Sequence, residues 1–151
     1  LYTFTHAAGL IEAGDVLHLE VVGDFQMLST AISQTLFIKY GSTDLVTSQT
    51  TTIGASVGKQ RQWRLDAKIM FKTTGTQRVL GKMDMSNATD GNTWGVSQGA
   101  SFPSGPLYGS GAEDGTASKT LSFDVLMSSA TADCIWRMFY AYLELKKKAR
   151  A

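Results

Sequence analysis

Apolar and polar residues alternate with a period of two along most of this chain, the spacing of a pleated strand with one buried face. The longest run is Gln62 to Lys72. Trp63, Leu65, Ala67, Ile69 and Phe71 fall on one face of it, and Arg64, Asp66, Lys68, Met70 and Lys72 on the other. A helix would scatter these two sets around its axis, so the run predicts a half-buried strand. Thr74-Gly75 then supplies a turn. Arg78 to Met85 returns with Val79, Gly81, Met83 and Met85 facing inward, which predicts an antiparallel hairpin.

Shorter stretches repeat the pattern. Tyr2 to Thr5 predicts an opening strand, and Val16 to Val22 a second, with Leu17, Leu19 and Val21 toward the core and His18 and Glu20 away from it. Gly23-Asp24 reads as the end of that strand. Thr35 to Tyr40 sets Leu36, Ile38 and Tyr40 against Phe37 and Lys39, and Gly41-Ser42 closes it. The Thr-rich stretch Leu45 to Ile53 suits an edge strand, because β-branched Thr fits a pleated surface without offering a sticky face. Lys119 to Met127 turns Leu121, Phe123 and Val125 inward.

A final strand is predicted from Cys134 to Leu145. One face would carry Ile135, Arg137, Phe139, Ala141 and Leu143, the other Trp136, Met138, Tyr140 and Tyr142. Burying one set exposes four large side chains, and a patch of that size calls for a cover. Either a long loop of the same chain or another subunit would serve. Enrichment of Tyr, Trp and Met at interfaces favours the subunit and makes Trp136, Met138, Tyr140 and Tyr142 candidate interface residues.

The loop in question is Ser86 to Ser118, where both prolines and seven of the 15 glycines fall. Loops of such length are uncommon in compact domains and usually functional or disordered. This one carries Trp94, Phe102 and Tyr108, candidates for pinning the loop to its domain or for stacking on a host glycan.

Composition narrows the classes. The chain of 151 residues, 43% of them hydrophobic, is one domain's length and can bury a core without staples, and its single cysteine, Cys134, excludes an internal disulfide. Lys and Arg total 14 against 13 Asp and Glu, which gives no basic field for nucleic acid or an anionic membrane. The apolar stretch ending at Leu145 is too short to span a bilayer as a helix. No signal-peptide pattern is visible, although the chain starts at Leu1 rather than Met, so the terminus is weak evidence of location. The basic tail Lys146 to Arg150 reads as a solvated end.

Chemistry is sparse. His6 and His18 are the two imidazoles, no Gly-x-Ser-x-Gly elbow is present, and Cys134 has no histidine near it in sequence. Glu12, Asp15, Glu113 and Asp114 have no spacing that marks a carboxylate pair, and Glu113-Asp114 reads as a solvated loop. Asp84 to Asn92 offers oxygen ligands without the spacing of an EF-hand, and the glycines from Gly109 to Gly115 lack the Lys-Ser/Thr ending of a phosphate loop. The expectation is a protein with no catalytic residue, cofactor or metal.

Seven or eight short antiparallel strands with polar turns predict an all-β, antiparallel β-sandwich of immunoglobulin-like or jelly-roll topology. The order of motifs goes further. An opening strand is followed by Leu10-Ile11-Glu12-Ala13-Gly14-Asp15-Val16-Leu17, then by Leu36-Phe37-Ile38-Lys39-Tyr40-Gly41-Ser42. Trp63-Arg64-Leu65-Asp66-Ala67-Lys68-Ile69, Thr73-Thr74-Gly75-Thr76 and an aromatic-rich last strand complete the series. Over nearly its whole length the chain resembles the trimeric jelly-roll domains of tailed-phage virion proteins, found as capsid decoration proteins and as heads of fibres. The Gly-rich segment and the basic tail depart from that pattern. The resemblance implies jelly-roll topology, a homotrimer on the virion, and the major capsid protein or another virion protein as partner. Its alternative is a fibre head that recognises a host surface glycan.

Overall fold

The computed structural model describes residues 1–27, 32–48, 51–53, 59–85, 105–128 and 134–149. Trp94 and Phe102 lie outside them. The described residues form ten strands and no helix: β1 (Tyr2–His6), β2 (Val16–Met27), β3 (Ile32–Tyr40), β4 (Thr43–Thr47), β5 (Thr51–Ile53), β6 (Lys59–Thr73), β7 (Thr76–Met85), β8 (Gly105–Gly111), β9 (Lys119–Met127) and β10 (Cys134–Lys146). They make two antiparallel sheets packed face to face, a β-sandwich. One sheet runs β1-β9-β3-β4, with β5 also paired to β3; the other runs β10-β2-β6-β7-β8.

The core follows the alternation. On β6, Trp63, Leu65, Ala67, Ile69 and Phe71 are all buried, and their ladder partners on β2 include Leu17, Leu19 and Val21. Leu36, Ile38, Tyr40, Leu121 and Phe123 face them from the other sheet. Each buried side chain removes apolar surface worth roughly 1.5–3 kcal/mol from water. A buried polar pair anchors the packing. The Tyr40 ring stacks on His6, its hydroxyl lies 2.6 Å from His6 Nε2, and its edge meets Phe71. Burial, with Glu113 and Asp114 nearby, pushes the Tyr40 hydroxyl pKa well above its ordinary value.

Several boundaries differ from the sequence expectation. β2 does not stop at Gly23-Asp24 but continues to Met27. Gly23 lies opposite Trp63 in the ladder, and a Cβ there would strike the Arg137 carbonyl and the Trp63 ring. Glycine therefore serves close packing inside a strand rather than a turn. Leu45 to Ile53 is not one strand but two, β4 and β5, both paired with β3. Ser86 to Ser118 is not one loop, because β8 lies inside it and adds an edge to β7. Pro106 belongs to this edge strand, where its missing N–H is tolerated.

β8 also closes one side of the sandwich. A Cβ on Gly109 would collide with the Leu45 carbonyl and approach Val46 to 2.9 Å, so the backbones of β8 and β4 meet at a spot where only glycine fits. The opposite edge of the same sheet is β10, the longest edge strand among the described residues.

Candidate association surface

β10 pairs with β2 along its whole length, but the register shifts between Met138 and Tyr140 and leaves Phe139 without a ladder partner. This is a β-bulge, and one extra residue reverses the parity of every side chain beyond it. Before the bulge, even-numbered Trp136 points inward. After it, odd-numbered Ala141, Leu143 and Leu145 pack on the core, and Tyr140 and Tyr142 turn out.

The bulge overturns one of the four interface candidates. Trp136 sits inside the sandwich, 5.1 Å from the Phe25 ring and 5.3 Å from Trp63, and its Nε1 donates to Oε1 of buried Gln34 at 2.9 Å. A half-buried indole that packs on two core aromatics and whose N–H is engaged by its own chain is part of the fold. Met138, Tyr140 and Tyr142 are exposed as expected. Phe139, assigned to the opposite face by simple alternation, is 64% exposed and joins them.

Ion pairs fix this strand at both ends. Near its start, Arg137 Nε lies 3.2 Å from buried Asp24, and Nη2 donates to Gln26 Oε1. At its end, Lys147 Nζ donates to buried Asp15 Oδ2 at 2.8 Å, and the Lys148 N–H reaches Oδ1. The tail is thus not simply solvated, at least through Lys148. Burial works to raise the Asp15 pKa, but Lys147 and the backbone N–H groups of Glu12 and Lys148 outweigh it and hold the carboxyl below its ordinary range. Edge strands held this firmly present their side chains on a rigid frame.

Beside the start of β10 lies a hollow of about 730 Å3. Phe37, Val125, Leu126, Met127, Ile135 and Trp136 form its apolar lining. Lys39, Asp44 and Asp124 stand at its rim, with the Lys39 ammonium 3.7 Å from one carboxylate and 3.9 Å from the other. Leu126 at its mouth is 62% exposed. Ile135 and Trp136 line the hollow from the start of β10, and Arg137 separates them from Met138, Phe139, Tyr140 and Tyr142 farther along the strand.

Tyr108, the third loop candidate, sits on β8 rather than on a loop. It is 69% exposed and pairs with exposed Leu80 on the outer face of the sheet. A smaller depression, of about 350 Å3, lies next to it, lined by Arg64, Asp66, Lys68, Lys82 and Asp84. Charges on this face are paired, Arg64 with Glu20 between β6 and β2 at 3.0 Å and Lys82 with Asp84 within β7 at 2.7 Å.

His18 Nε2 and Asp66 Oδ1 are 3.0 Å apart, two members of a nucleophilic triad, yet the residues opposite His18 in the two ladders are Glu144 and Lys68, neither a hydroxyl nor a thiol. Glu113 is buried rather than solvated. Its Oε1 accepts from the Ser42 N–H, the Ser42 hydroxyl and the Thr43 hydroxyl, and Lys119 Nζ donates to Oε2 at 2.7 Å. The Lys119 ammonium first, and then those hydroxyls, hold its pKa at about 2. Gln77 completes this corner by bonding both the N–H and the carbonyl of Glu113. Among the described residues, no three His, Cys, Asp or Glu side chains cluster to hold a metal ion, and no helix is long and apolar enough to cross a membrane.

No protein-family model, curated protein or solved structure matches this chain.

Proposed function

We propose that this protein is a non-enzymatic structural protein that acts by association: a homo-oligomeric, most simply homotrimeric, capsid decoration protein of jelly-roll topology on a tailed-phage virion. The observation that carries the reading is the face of β10 that the described residues leave uncovered, where Met138, Phe139, Tyr140 and Tyr142 stand exposed on a strand anchored at both ends. An edge strand of 13 residues bearing such side chains is a template for association unless something covers it. The order of motifs in the sequence supplies the phage part of the reading. A protein that binds only the assembled shell stabilises it by mass action. Light scattering on the 16.3 kDa chain at micromolar concentration, followed by co-sedimentation with phage shells, tests it. Self-association and a raised shell melting temperature are the expected results. A chain that stays monomeric and leaves shells unaltered overturns the proposal.

One observation favours a second reading, recognition of a host surface glycan. Tyr108 and Leu80 expose apolar surface next to paired charges, a combination suited to stacking on and hydrogen-bonding a sugar. Glycan-array binding that is lost in Tyr108→Ala, with the oligomeric mass unchanged, would select this reading over decoration.

A further inference from the structure

Two exposed cations on the outer face of the β10-β2-β6-β7-β8 sheet, Lys68 and Arg78, have no ion-pair carboxylate among the described residues. The ladders set Lys68 of β6 opposite Leu80 of β7, and Leu80 opposite Tyr108 of β8, so these three stand in one row across the strands. The next row holds Met70, Arg78 and Ser110. Strand spacing puts Lys68 about 10 Å from Tyr108, and Arg78 lies on a diagonal to each, about 8 Å away. We propose that this patch binds a sugar carrying a carboxylate, with the ring against Tyr108 and Leu80 and the acid group on Arg78 and Lys68. The inference rests on the glycan reading and names the class of glycan.

Charge decides the class. The carboxylates on the same face are all engaged: Glu20 with Arg64 at 3.0 Å, Asp84 with Lys82 at 2.7 Å, Glu144 with Lys146 at 3.3 Å, and Asp66 with His18 at 3.0 Å. Setting the Asp66 charge against Lys68 still leaves Arg78 in surplus, and exposed Lys72, two residues after Met70, has the same sign. Beyond the end of β8, Asp114 is turned to the Thr116 hydroxyl and Glu113 is buried against Lys119. On the other sheet, Lys39 and Lys119 both have carboxylate partners. An unmatched guanidinium is a fork that holds a carboxylate through two parallel N–H···O bonds. A neutral sugar would leave that fork unused.

Tyr108 supplies the flat surface. It and Leu80 are 69% and 47% exposed. Gly109, the next residue, packs its backbone on Leu45, which fixes the strand that carries the ring. A tyrosine has an apolar face and a polar tip, and so suits a ligand with both C–H faces and hydroxyls. The paired Lys82 and Asp84, in the depression that Leu80 also lines, add a donor and an acceptor for neighbouring sugar hydroxyls. A flat ring beside unmatched cations favours an acidic sugar over a plain polyanion.

A glycan array with carboxylate-bearing glycans printed beside their carboxyl-reduced counterparts tests it, with poly-L-glutamate as a polyanion that contains no sugar. Reduction replaces the carboxylate by a hydroxymethyl group and leaves the sugar ring in place. The chain should bind the acidic glycans at least about tenfold more tightly than the reduced ones, the effect of one charge-assisted contact. Arg78→Gln should lose most of that preference, and Tyr108→Ala should weaken binding to both forms. Arg64→Gln, whose guanidinium Glu20 already holds, should keep the preference. All three positions are exposed, and circular dichroism checks that the variants fold. Equal binding to acidic and reduced glycans overturns the proposal and leaves the glycan reading standing. A preference that survives Lys68→Gln combined with Arg78→Gln also overturns it. So does poly-L-glutamate binding that matches the acidic glycans and is indifferent to Tyr108→Ala, the mark of an acidic protein partner. A chain that binds no glycan in either form overturns the glycan reading itself, so the two failures are distinguishable.

Discussion

Replacing Trp136 separates a core role from an interface role. Its indole contacts the rings of Phe25 and Trp63, and its N–H satisfies the buried Gln34 side-chain carbonyl oxygen. Truncating a core aromatic to alanine costs about 3–5 kcal/mol. Trp136 is only half-buried, which places it at the lower end of that range. The change also strips Gln34 of its donor. Gln34 Nε2 has no partner among the described residues, so the whole side-chain amide would be left buried and unbonded, at a further cost of about 1 kcal/mol or more. Together these give about 4 kcal/mol for Trp136→Ala. With a urea slope near 2 kcal/mol/M, the midpoint should fall by about 2 M. Far-UV circular dichroism is the appropriate probe, since the substitution removes a fluorophore. The protein concentration must be held fixed, because self-association makes apparent stability concentration-dependent. Phe139→Ala, in contrast, should move the midpoint of the dissociated chain by less than about 0.5 M. A Trp136→Ala protein with the wild-type midpoint and an altered oligomeric mass would refute the inward placement and return this residue to the interface.

Two further outcomes follow from the described geometry. Glu113, held at about 2 from an ordinary 4.5, contributes stability that is complete above pH 4.5 and is lost as the pH falls toward 2, where the folded carboxyl takes up its proton. Glu113→Gln should cost on the order of 2 kcal/mol at neutral pH and flatten the acid limb of a pH–stability curve measured by urea unfolding; an unchanged acid limb would exclude Glu113 as its source. Gly109→Ala drives a methyl group into the Leu45 carbonyl where β8 meets β4, and overpacking of about 1–3 kcal/mol should lower the melting temperature by about 3–10 °C in differential scanning calorimetry. A wild-type melting temperature would mean that the two edges do not approach so closely.

What the sequence by itself determined is the fold class and most of the core. Strand side chains alternate strictly, so Trp63 to Phe71 announce their buried face without help from any neighbour, and the same holds for Leu17 to Val21 and for Leu36 to Tyr40. Tertiary structure decided what a period-two pattern cannot carry. The bulge at Phe139 is set by how β10 lies along β2, and it moved Trp136 into the core and Phe139 out of it. Gly23 and Gly109 look like turn residues in sequence, yet each is fixed by a backbone or ring arriving from a distant segment. β8 was hidden among glycines and a proline because an edge strand borrows its order from β7 rather than from its own composition. Glu113 looks like a solvated acid until Lys119 converges on it, and nothing local to Asp15 marks it as the partner of Lys147. Alternation is local and legible along the chain. Register, close approach and charge pairing exist only between segments, and in this protein they decide which residues β10 leaves exposed.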